Sequence, residues 1–113
     1  MSKLHPIRGE AAPDFKPVEA DRPVDGAPMT ETRLDYERDG TYVGEWAADI
    51  GAWRVSYGEW EFCHMLEGVC ELTPDAGEAQ RYKAGDSFVI EPGFSGVWRV
   101  VEPMRKRFVV RIG

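Results

Sequence analysis

Two ionisable residues sit where a strand pattern would turn them inward. Glu61 shares the two-residue period of Cys63 and Met65 in the segment Trp60-Glu61-Phe62-Cys63-His64-Met65. Lys106 shares the period of Met104, Phe108, Val110 and Ile112. An unpaired charge inside a protein is costly, so each needs a partner or water. Two arrangements satisfy this. Glu61 and Lys106 meet inside the fold, or Lys106, near its strand start, snorkels out to solvent. In the paired arrangement the carboxylate serves as a base or ligand anchor, and the ammonium binds an anionic group. Trp53, Tyr57 and Trp98 are aromatic candidates for a pocket wall, with core packing as the alternative for each.

Other side chains carry less. Cys63 and Cys70 read as small buried hydrophobes and reduced thiols. A two-residue loop at Glu67-Gly68 would make them diagonal neighbours on one face of a hairpin. His64 falls on the face of Phe62 and Leu66, opposite Glu61, and reads as structural. His5 belongs to no motif. Arg105-Lys106-Arg107 reads as a solvated strand end. With two histidines in the whole chain, a multi-histidine metal site is excluded. No phosphate loop, dinucleotide fingerprint or Gly-x-Ser-x-Gly elbow is present.

The elements that must hold these residues are strands. Twelve glycines and eight prolines in 113 residues favour turns over long helices. Candidate strands are Tyr42–Ala47, Trp53–Tyr57, Glu61–Leu66, Val69–Thr73, Gln80–Lys83, Ser87–Ile90, Val97–Val101 and Met104–Ile112. Glycine and proline turns fall between several of them, at Pro74-Asp75-Ala76-Gly77, Ala84-Gly85-Asp86 and Pro92-Gly93. Such a series predicts an antiparallel barrel or sandwich. Residues 1–38 hold five of the eight prolines and show no sustained period, which predicts an extended, irregular arm, with the barrel over 39–113.

The totals bound the partners. The length fits one domain. A net charge of -6 argues against nucleic acid and anionic membranes. No apolar stretch reaches the length of a bilayer span, and the N-terminus lacks a secretory core, so a cytoplasmic location is the expectation.

Over about residues 40–112 the chain resembles the cupin superfamily, in particular the small cupins grouped with ureidoglycine aminohydrolase and the ethanolamine-utilisation Q protein. The resemblance rests on Trp60-Glu61 through Thr73, on Tyr82 through Trp98, and on Arg105-Lys106-Arg107-Phe108. It implies an all-β, single antiparallel jelly-roll barrel and, through edge strands, a homodimer. The cupin pattern places two histidines ahead of the glutamate and one after a later glycine. Here those positions are Val55 and Tyr57, or Arg54 and Ser56, and Gly96. Only Glu61 survives of four ligands, so no metal and no cofactor are expected.

The leading expectation is a metal-free site for a small polar or anionic ligand, lined by Trp53, Tyr57, Glu61, Cys63, Trp98 and Lys106. The alternatives are a hydrolase, lyase or isomerase using Glu61 as acid/base with Lys106, and a non-catalytic partner in a metabolic assembly.

Overall fold

A computed structural model describes residues 3–17 and 23–112. Among the described residues nine strands form one sheet: β1 (Asp14–Pro17), β2 (Pro23–Asp25), β3 (Met29–Arg38), β4 (Thr41–Ala48), β5 (Gly51–Ser56), β6 (Trp60–Pro74), β7 (Gln80–Lys83), β8 (Ser87–Ile90) and β9 (Ser95–Arg111). All pairings are antiparallel. The all-β jelly-roll expectation holds, with the sheet curled into a half-barrel.

The two longest strands make the frame. β6 and β9 pair along nearly their whole lengths, from Trp60↔Arg111 to Pro74↔Gly96. The far edge of β9 is shared: β4 takes its C-terminal half and β5 its N-terminal half. The far edge of β6 is likewise divided between β8 and β7. Each long strand therefore serves two short ones in succession, which bends the sheet around a common interior. That interior is built by alternation. Cys63, Met65, Cys70 and Leu72 of β6 and Trp98, Val100, Met104 and Phe108 of β9 are buried. Fully burying side chains such as Met65 or Val100 stabilises the fold by about 1.5–3 kcal/mol each.

The hairpin expected at Glu67-Gly68 is corrected: β6 runs straight through it. The register against β9 shifts between Met65 and Cys70, a bulge rather than a turn. Gly68 has φ 82°, and a Cβ there would run into the Pro103 carbonyl and lie 2.6 Å from Met104 Cα. A left-handed glycine suits a tight hairpin and a bulge equally well, and the close crossing of β9 decides between them. Cys63 consequently faces Phe108 and Cys70 faces Val100, so the cysteines are not diagonal neighbours. Both are free and buried, as small core residues are. The two strands expected at Val97–Val101 and Met104–Ile112 are likewise one, β9.

Within the segment 1–38, read as an irregular arm, residues 3–13 form no strand, residues 1–2 and 18–22 lie outside the described residues, and the rest is corrected where β1, β2 and β3 form. β3 pairs with β4 over Thr30↔Ala48 to Arg38↔Thr41, and β1 pairs with β3. The period of β3 is hidden because polar and charged residues stand on both faces, Thr30, Glu31, Thr32 and Arg33 among them. Their charges are matched within β3 and across the sheet. Glu31 accepts from Arg33 Nε at 2.6 Å, and buried Glu45 of β4 accepts from Arg107 at 2.6 Å and lies 3.6 Å from Arg105. Arg105 and Arg107 are therefore half-buried ion-pair partners on the outer face of β9, not a solvated strand end. Preceding residues close over this face: the Gly9 and Ala11 amides donate to Asp35 at 2.9 and 3.0 Å. Among the described residues no helix is long and apolar enough to cross a membrane.

Candidate functional site

Alternation on five strands delivers side chains into one cavity of about 200 Å³. Trp46 of β4, Trp53 of β5, Trp98 of β9 and Tyr57, just past β5, form its aromatic wall. Glu61 of β6 and Lys106 of β9 supply its charge. Three of the four tryptophans gather here. Trp46 meets Trp98 edge-on at 5.6 Å, and Trp53 lies nearly parallel to Trp98 at 6.5 Å. Both arrangements suit the ring quadrupole.

The charged pair is deeply placed: Glu61 is 5% exposed and Lys106 4%. Lys106 Nζ donates to Glu61 Oε2 at 2.7 Å and to Cys63 Sγ at 3.5 Å. It also sits 4.4 Å from the Trp98 ring centroid and 4.7 Å from that of Trp46, within cation–π reach. The Cys63 thiol donates to the same Oε2 at 3.2 Å. Burial opposes the Lys106 charge, but Glu61, Cys63 and Tyr57 together hold the lysine above its ordinary pKa. Burial pushes the Cys63 thiol up to about 12, so it stands as a neutral donor and not as a nucleophile. Burial, then the Glu61 charge, also raises the Tyr57 hydroxyl, against the opposing pull of Lys106. Trp98 Nε1 is buried with no acceptor among the described residues.

Of the residues singled out in the sequence, Trp53, Tyr57, Glu61, Trp98 and Lys106 line this cavity together. Cys63 does not; it bonds to Glu61 and Lys106 from the core side. Trp46 and Thr32 are additional lining residues. Trp46 shares its period with Gly44 and Ala48, both buried, a parity that would have pointed it inward. Thr32 lies in the segment read as irregular, and nothing in its neighbours marks it. His64 faces outward with Nδ1 2.7 Å from Ser87 Oγ, as a structural histidine. His5 packs against Tyr36 at 5.1 Å.

The model of the EutQ-like cupin domain matches residues 36–108, well over half of the chain. The chain belongs to the EutQ-like cupin family. Solved structures agree on the fold. A DUF861 family protein of unknown function from Pseudomonas syringae pv. tomato superposes with a TM-score of 0.83 at 17% identity, over 92% of this chain and 46% of its own. This EutQ-like cupin thus spans just under half the length of that protein. A putative ethanolamine utilization protein Q from Salmonella typhimurium matches at TM-score 0.67 and 18% identity, over 91% of this chain and 98% of its own. A DUF861 family protein from Thermotoga maritima shares 30% identity over 57% of this chain and 73% of its own, with a TM-score of 0.55. No curated protein matches the sequence.

The residues of this EutQ-like cupin do not fit the metal that cupins commonly hold. Val55 and Tyr57 are the inward positions ahead of Glu61, whereas Arg54 is exposed and paired with Asp75 at 2.6 Å. At Gly96 a Cβ would run into the Thr73 carbonyl, so a histidine has no room. The carboxylate that remains already holds an ammonium. Among the described residues no group of three or more His, Cys, Asp or Glu side chains could hold a metal ion.

Proposed function

We propose that this cupin binds a small polar metabolite in the aromatic cavity, with the Glu61–Lys106 pair in place of a metal. The observation that carries this reading is the cavity itself: about 200 Å³ walled by Trp46, Trp53, Tyr57 and Trp98, with a buried ion pair among them. Ligand sites are typically apolar hollows with a few convergent polar groups. A barrel serving only as an interaction module would be expected to fill this space with side chains. We further assign it to the cytoplasm, where the free thiols of Cys63 and Cys70 stay reduced, a placement that cell fractionation checks. Self-association through an edge is also part of the reading. The edge strand β1 exposes all four of its residues, Phe15 included, and light scattering on the purified chain reads the oligomeric state.

The ligand reading is tested by following the four indole N–H signals in ¹⁵N-labelled protein during a fragment screen. Binding in the cavity moves Trp46, Trp53 and Trp98 and leaves Trp60, which is outside it, in place. Hits confined to Trp60, or no movement with any fragment, would remove the cavity as a ligand site.

A further inference from the structure

We infer that the cavity selects an uncharged, flat ligand carrying an N–H donor for Glu61, and turns away anions; this rests on the cavity being a ligand site. The reason is how completely the lysine is already matched. Lys106 Nζ has the Glu61 carboxylate at 2.7 Å, the Cys63 sulfur at 3.5 Å and the faces of Trp46 and Trp98 at 4.7 and 4.4 Å. An entering anion would find no unmatched cation. An entering cation would find a carboxylate already neutralised and an ammonium beside it. Either would bury a net charge among indoles with nothing to balance it.

The uncommitted polar groups point the same way. The bonds that Lys106 and Cys63 make to Glu61 both end on Oε2, which leaves Oε1 with acceptor capacity on a residue that lines the cavity. The Tyr57 hydroxyl turns its proton to the Glu61 carboxylate, which leaves its oxygen as an acceptor. Two acceptors, Glu61 Oε1 and the Tyr57 oxygen, fit a molecule with N–H groups along one edge. The nearly parallel Trp53 and Trp98 rings favour a flat body. About 200 Å³ accommodates a single ring with a short substituent, since a dry cavity of about 150 Å³ binds benzene.

Three probes of one shape and different charge test this: benzamide, benzoate and benzamidine, titrated into the full chain and read at the Trp53 and Trp98 indole signals. Benzamide is expected to bind at least about tenfold more tightly than either charged analogue, a difference of about 1.4 kcal/mol. Tyr57→Phe, which leaves the ion pair intact, is expected to weaken benzamide roughly fivefold, the worth of one neutral hydrogen bond. Benzoate or benzamidine binding as tightly as benzamide overturns the charge selection and leaves the cavity standing as a ligand site. Unchanged benzamide affinity in Tyr57→Phe overturns the polar edge. Silence from all three probes overturns both the inference and the ligand reading beneath it.

Discussion

Glu61 and Lys106 meet at 2.7 Å although they are not neighbours in the ladder that joins their strands. Glu61 lies opposite Val110 on β9, and Lys106 lies opposite Met65 on β6. The long lysine side chain reaches back along the sheet by two inward positions to find the carboxylate. Its stem is buried on the way, and its head arrives between two indole faces. The ion pair is thus a tertiary contact made by side-chain length, and its energetics are those of a buried pair.

Breaking one half of the pair is expected to cost more than removing both. Lys106→Met leaves a buried carboxylate and Glu61→Gln a buried ammonium, each lowering stability by about 3–5 kcal/mol. The double variant Glu61→Gln/Lys106→Met should recover a large part of that loss. Urea unfolding of the four proteins gives the cycle, and additive losses would show that the two groups do not interact.

Stability is expected to fall as the solution becomes alkaline. Burial pushes the Cys63 and Cys70 thiols from 9.0 to about 12 in the folded chain. Between those values the unfolded chain has released both protons and the folded chain holds them. Proton release therefore favours unfolding, by about 1.4 kcal/mol per pH unit for each thiol. Lys106, raised above its ordinary 10.5, acts in the same direction: its contribution is whole below 10.5 and is lost as pH climbs through the folded value. Urea midpoints at pH 7, 9 and 10.5 should decline only over the last interval. Cys63→Ala/Cys70→Ala should make that decline shallower.

Gly68→Ala is expected to destabilise the barrel although its site is at the sheet's bulge and not in the cavity. The substitution combines a left-handed φ of 82° with a Cβ 2.6 Å from Met104 Cα. The first costs about 1–2 kcal/mol and the second about 1–3 kcal/mol. A thermal melt checks it, and a variant as stable as the parent would mean the crossing of β6 and β9 relaxes freely.

Chelation should leave the protein as it was. The glutamate is committed to Lys106, and Gly96 has no room for an imidazole. Elemental analysis should find no stoichiometric divalent metal, and excess EDTA should not shift the melting temperature. A loss of stability on chelation would return the site to metal chemistry.

The sequence by itself determined which face each residue takes within a strand, because alternation is a local property of extended backbone. It thereby turned Glu61, Trp53, Trp98 and Lys106 inward, and its two histidines ruled out a multi-histidine metal centre. The resemblance carried by Glu61 to Thr73 and Tyr82 to Trp98 located the fold and the family. What the tertiary structure decided was continuity and register. Whether Gly68 is a turn or a bulge depends on the backbone of β9 pressing against it, which no neighbour of Gly68 in sequence encodes. Whether Thr32 and Trp46 join the cavity depends on β3 closing onto β4, and Glu31 and Glu45 of these strands meet Arg105 only once β9 lies beside them. The meeting of Glu61 with Lys106 is of the same kind. Parity aimed both side chains inward, and only the register of β6 on β9, with the reach of a lysine, brought them together.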